Sequence, residues 1–92
     1  MLEKSIESYL LRKTKAKKGL CIKAVAAGWS GWPDRTILLP GGILFFVELK
    51  APGKKPRKTQ KAVHGILENL GFGVYSIDSK TQVEEVLRNY GF

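Results

Sequence analysis

The chain holds one cysteine and one histidine in 92 residues, and its longest apolar run, Ile43 to Val47, is five residues. One thiol excludes an intramolecular disulfide, and Cys21 with His64 alone cannot assemble a zinc site. Cys21 therefore reads as a small, buried apolar residue in a strand, and a reducing, intracellular setting is the expected one. A five-residue run falls far short of the roughly 20 apolar residues of a membrane-spanning helix. The opening MLEKSIESYLL places acids and a serine where a signal peptide carries its apolar stretch, so no leader is expected. Negative charge is scarce as well. Eight Asp/Glu face sixteen Lys/Arg, a net charge of +8 that favours a polyanionic partner, of which nucleic acid is the usual one.

What is present fits one domain over residues 1–92. A chain of this size buries only about two-thirds of its unfolded surface, enough for a single core. Apolar content of 43% and charged content of 26% are those of a globular protein. Leu2, Ile6, Tyr9, Leu10 and Ala16 share a helical stripe from Leu2 to about Lys18, which Gly19 is placed to end. Strands are expected over Leu20–Ala26, Asp34–Leu39, Ile43–Lys50 and Phe72–Ile77, the second and third joined by a tight turn at Pro40-Gly41-Gly42. Along the third, Phe45, Val47 and Leu49 face one way and Leu44, Phe46, Glu48 and Lys50 the other, which predicts a central strand covered on both sides. A helix from about Arg57 to Leu70 carries Gln60, Val63, Leu67 and Leu70 at helical spacing, with Gly71 after it. Asp78 or Ser79 caps a last helix to about Tyr90, with Val83, Val86 and Leu87 inward. The order αβββαβα places the chain in the α/β class, with a mixed central sheet flanked by helices.

Glu48 and Lys50 are charged residues on one face of a strand just after an apolar run, a costly place without partners. A strand reaching its solvated end would explain them alone. The short turn argues for more, because it makes the second and third strands antiparallel neighbours. Asp34, at the head of one, then lies beside Glu48 and Lys50 at the end of the other. Carboxylates that close call for a cation, and Mg²⁺ suits one or two carboxylates plus waters. Basic segments are expected on both sides of this corner: Arg12, Lys13, Lys15, Lys17 and Lys18, and Lys54, Lys55, Arg57, Lys58 and Lys61. Such runs are often only solvated faces, yet around an acidic corner they fit a phosphodiester substrate.

Gly31-Trp32-Pro33-Asp34, then Phe46-Val47-Glu48-Leu49-Lys50, then Gln60 resembles the virus-type replication-repair nuclease (VRR-NUC) domain of the PD-(D/E)xK nuclease superfamily. The resemblance covers essentially the whole chain. It implies that Asp34, Glu48 and the Leu49 backbone carbonyl hold the metal, Mg²⁺ with Mn²⁺ able to substitute. It implies further that Lys50 is the catalytic lysine and that Gln60 lies beside it. The family pattern also includes an acid on the first helix, which Glu3 or Glu7 can supply; Glu7 is favoured as nearer the end that leads into the sheet. Trp32 stands where a smaller residue is frequent in the family. Trp29 and Trp32 either pack on their own domain, the commoner case, or stack on unpaired bases. His64, four residues after Gln60, is within reach of the corner, although a lone helix histidine more often serves packing.

Stand-alone members of this type are homodimers acting on branched DNA, so the resemblance implies a structure-selective endonuclease on four-way junctions. Leu11, Tyr90 and Phe92 are apolar candidates for a dimer surface. If phage-encoded, the protein would work in the cytoplasm of a bacterial host. A duplex or flap nuclease, and a non-catalytic basic nucleic-acid-binding module, are the alternatives.

Overall fold

The computed structural model describes residues 3–24 and 26–92. Helix α1 spans Glu3–Ala16, followed by strands β1 (Leu20–Lys23), β2 (Arg35–Leu39) and β3 (Ile43–Leu49). Helix α2 (Lys58–Asn69), strand β4 (Gly73–Ile77) and helix α3 (Lys80–Asn89) complete the expected order. The sheet runs β1-β2-β3-β4, antiparallel at the first two pairings and parallel between β3 and β4. Strand β3 is thus interior, as its two apolar faces require.

The period-2 alternation of β3 divides the core. Phe45, Val47 and Leu49 pack with Ile6 and Leu10 of α1 and Val83, Val86 and Leu87 of α3. Phe46, on the opposite face, packs with Val63 and Leu67 of α2. The Pro40–Gly42 turn closes on the pair Leu39↔Ile43, with Gly41 and Gly42 at φ 91° and 77°, a region that suits glycine. Ser79 caps α3 by accepting a hydrogen bond from the Gln82 N–H at 3.2 Å. No helix of the described residues is long and apolar enough to cross a membrane.

Several expectations shift. The α1 stripe is Ile6, Leu10 and Thr14, all buried, while Ala16 is exposed and Leu2 lies outside the described residues. The helix stops at Ala16 because Lys18 turns left-handed at φ 66°. Gly19 is needed for contact: a Cβ there would lie 2.5 Å from the Leu38 carbonyl oxygen. Strand β1 ends at Lys23, short of Ala26, and Val25 lies outside the described residues. Leu70 caps α2 and is 69% exposed, because the chain turns at Gly71 before another helical turn can bury it. Tyr90 and Phe92 pack against the core, so of the three apolar candidates only Leu11 is left outside. Cys21 is half-buried on the edge strand, and burial pushes its thiol up to about 11, keeping it protonated and unreactive.

Candidate active site

The β2–β3 register ends at Arg35↔Val47, and one residue beyond it stand Asp34 and Glu48. Asp34 Oδ2 accepts the backbone N–H of Leu49 at 2.8 Å, which pins the carboxylate against the end of β3. Glu48 is almost wholly buried, at 2% exposure. Its Oε2 accepts a hydrogen bond from Gln60 Nε2 at 3.0 Å and has Lys50 Nζ at 3.8 Å. Gln60 is held from its other end as well, since its Oε1 accepts the Arg57 N–H at 2.8 Å at the start of α2. The amide is thereby oriented by two different partners, with its NH₂ toward the carboxylate.

Glu48 Oε1 has no hydrogen-bond partner among the described residues. His64 Nε2, also without one, stands 3.7 Å away, too far for a direct hydrogen bond. Burial, and then the neighbouring Asp34 carboxylate, push the Glu48 carboxyl up to about 8, against the pull of Lys50 and Arg57. Burial also lowers the pKa of His64, which disfavours the imidazolium that would pair with Glu48.

Glu3 and Glu7 both line a cavity of about 170 Å³ with Lys23, Asp34 and Leu49. Glu7 is tied to Arg35, whose Nε and guanidinium terminus approach its Oε2 at 2.9 and 2.8 Å. Among the described residues no three His, Cys, Asp or Glu side chains gather closely enough to hold a metal by themselves. Asp34 and Glu48 nevertheless suit Mg²⁺, which binds through one or two carboxylates and keeps several waters. The unsatisfied, buried Glu48 oxygen is the observation that fits a cation at this corner.

No protein-family model matches the sequence. The chain is 42% identical over 78 residues to "Putative nuclease p44" of Acyrthosiphon pisum secondary endosymbiont phage 1, spanning 85% of this chain and 84% of that protein. It superposes on a solved "VRR_NUC domain" with a TM-score of 0.89 at 31% identity, over 96% of both chains. The chain belongs to the VRR-NUC nuclease family.

Within this VRR-NUC fold, Asp34, Glu48, Lys50 and Gln60 come together at one corner of the sheet. The α1 basic group does not join them. Helix α1 enters β1 at Leu20, opposite Leu38 near the turn, whereas the acidic corner lies at the other end of β2, where Lys23 faces Arg35. Lys13, Lys15, Lys17 and Lys18 are accordingly at the far end of the sheet, and Lys13 is paired with Glu84 at 3.2 Å. The same reversal explains why the beginning of α1 reaches the site: β1 runs back along the helix. Glu7 is thus near Asp34 for the opposite reason to the one expected. Lys54, Lys55, Arg57 and Lys58 do lie on the connection from β3 into α2, and Arg57 is close enough to act on Glu48.

One residue of the site, Arg35, is not singled out by the sequence, and another, His64, is found where packing was the commoner expectation. Arg35 shares a face with Ile37 and Leu39, so the alternation of β2 already placed an arginine under α1, where it needs an acid. His64, one turn after Gln60, lies on the face of α2 that meets the corner, and the helix brings its Nε2 to 3.7 Å from Glu48. Trp32 packs edge-on to Phe46 at 5.8 Å, as the packing reading required, while Trp29 is 51% exposed.

Proposed function

We propose that this chain is a metal-dependent endonuclease that hydrolyses DNA phosphodiesters, with four-way junctions as its substrate and a homodimer as its working form. The observation that carries the hydrolytic reading is the buried Glu48 carboxylate, held by Gln60, beside Asp34 and Lys50, with one oxygen unsatisfied. Asp34, Glu48 and the Leu49 carbonyl would hold Mg²⁺, or Mn²⁺ in its place. When bound, such an ion acidifies water and offsets charge on the phosphate. Gln60 keeps Glu48 pointed at the corner, and Glu7 is kept in place by Arg35. The Lys50 ammonium is placed to orient the attacking water or to stabilise charge developing on the phosphate.

Lys23, Lys54, Lys55, Arg57 and Lys58 would take phosphates near the cut, and Lys13, Lys15, Lys17 and Lys18 a more distant stretch of backbone. Two symmetry-related cuts in a junction call for a two-fold partner. The edge of β1, which carries no strand partner among the described residues and leaves Leu20 and Ile22 exposed, supports a second copy there. The phage source of one relative supports action in the cytoplasm of a bacterial host.

The test is incubation with labelled four-way junction, flap and linear duplex DNA, in Mg²⁺ or EDTA, with sedimentation at the same protein concentration. Paired, metal-dependent nicks on the junction by a dimer are expected. Asp34→Ala and Lys50→Ala should bind but lose cutting by at least about a hundredfold, the scale of removing one transition-state stabiliser. Cutting by Asp34→Ala at the wild-type rate would remove the active-site assignment. Equal cutting of linear duplex would remove the junction preference and leave the nuclease.

A further inference from the structure

Trp29 is the largest apolar side chain left in water, with 51% of its surface exposed. It is nonetheless firmly held. Its backbone N–H bonds to the Ala26 carbonyl at 3.1 Å, and its ring meets Trp32 edge-on at 5.9 Å. Trp32 in turn packs on Phe46, within the apolar cluster under α2. Gly31, at φ 87°, lies so close to the start of α2 that a Cβ there would stand 2.6 Å from the Thr59 carbonyl oxygen. The loop is therefore braced against both β3 and α2 while it holds half an indole in solvent.

This indole overlooks a cavity of about 190 Å³ bounded also by Trp32, Pro33, Lys23 and Asp34. Lys23 and Asp34 line the neighbouring cavity with Glu7 and Leu49 too, so the aromatic pocket opens directly beside the acidic corner. A flat ring and an ammonium next to a phosphodiester-cutting site match a nucleobase and its phosphate. A base inside an intact duplex is covered by its stacked neighbours and cannot offer its face; an unpaired one can.

We propose that Trp29 is a stacking platform for an unpaired base next to the cut phosphate, with Lys23 contacting an adjacent phosphate. The pocket would then select branch points and single-stranded ends over uninterrupted duplex. This rests on the nuclease reading above and gives it a structural basis for substrate choice.

Trp29 and Trp32 are the only tryptophans, so intrinsic fluorescence reports the loop directly. The experiment titrates the intact protein in EDTA with a short oligothymidylate, a blunt duplex and a four-way junction, over a series of salt concentrations. Trp29→Leu, Trp29→Phe and Lys23→Ala are measured alongside, with unfolding midpoints to check folding. Oligothymidylate should quench wild-type emission more than duplex does. Trp29→Leu should lose most of that quenching and bind the oligomer about tenfold to a hundredfold more weakly, on the scale of one stacked base. Trp29→Phe should recover part of the affinity. The slope of log affinity against log salt should be unchanged in Trp29→Leu and smaller by about 0.7 in Lys23→Ala, since only the lysine neutralises a phosphate.

Wild-type affinity in Trp29→Leu would overturn the proposal while leaving the nuclease intact. So would conversion of a dimer to a monomer by that substitution, which would assign the indole to a second copy. A wild-type protein that neither binds any of the three DNAs in EDTA nor cuts any of them in Mg²⁺ would remove the nuclease reading itself.

Discussion

On the α1–α3 side of β3, Phe45 and Val47 are fully buried, Leu49 nearly so, and the layer is closed by Ile6, Leu10, Val83 and Leu87. On the α2 side the apolar contact is smaller. Phe46 meets Val63 and Leu67, and toward the end of the strand the layer gives way to Glu48, Gln60 and His64. Alternate residues of one seven-residue strand thus serve two different purposes. The first face removes hydrocarbon from water. The second holds a carboxylate and an imidazole, each with an atom unpartnered among the described residues, in surroundings that disfavour charge. A small domain has little stability to spare, so the first face has to offset the cost of the second.

The largest effect should come from breaking the apolar face. The Phe45 ring stacks on Tyr90 at 4.5 Å and meets Tyr75 edge-on at 5.6 Å. Phe45→Ala should cost about 3–5 kcal/mol in urea unfolding, a large share of the total stability of such a domain. Well below its midpoint, cleavage per folded molecule should stay near wild type. A cost below about 1 kcal/mol would mean that the two faces do not divide the work in this way.

The site face should respond in the opposite sense. Glu48 holds its proton up to about pH 8 in the folded chain, against 4.5 for an ordinary glutamate. A raised carboxyl pKa means that the folded state binds the proton more firmly than the unfolded state. In the metal-free protein the contribution of Glu48 to stability should therefore be most favourable below about pH 4.5, decline as pH rises to 8, and carry its full cost above that. Glu48→Gln removes the titration. In EDTA at pH 9 it should be more stable than wild type, by something on the order of a few kcal/mol, and the gain should fade toward pH 5. It should also abolish cutting. Denaturation curves at the two pH values decide the matter: an equal difference at both would show that the buried charge is not the source.

Much of this was legible along the chain because alternation and turn chemistry are local. The two faces of β3, the Pro40–Gly42 turn and the Asp34–Glu48 juxtaposition follow from residues near one another in sequence. What was not legible depends on where elements meet. Helical spacing put Leu70 on the apolar stripe of α2 and Gly71 marked the helix end, but nothing in that spacing says that Leu70 itself stays largely exposed. The lysines after Arg12 look close to the site only until β1 is seen to run back beside α1, which moves them to the far end of the sheet. Arg35 and Glu7 are 28 residues apart, and only the packing of α1 over β2 brings them into contact.

Gly31→Ala offers a finer separation of the two faces. At φ 87° an alanine is strained, and its Cβ would press on backbone atoms, 2.6 Å from the Thr59 carbonyl oxygen and 2.9 Å from the Gln60 nitrogen. Backbone at a helix start cannot swing aside as a side chain can. The relief has to come from a shift of the loop or of the first turn of α2, which carries Gln60 and, through it, Glu48. The stability cost should be about 1–3 kcal/mol, less than for Phe45→Ala. The cleavage rate should nevertheless fall tenfold or more, since displacements of about 1 Å near a reacting centre can cost a hundredfold. Measured together, urea midpoints and single-turnover rates should rank the two variants in opposite orders. If Gly31→Ala loses stability and keeps its rate, the loop gave way instead of the helix, and Gln60 keeps its place between Glu48 and Arg57 without the loop.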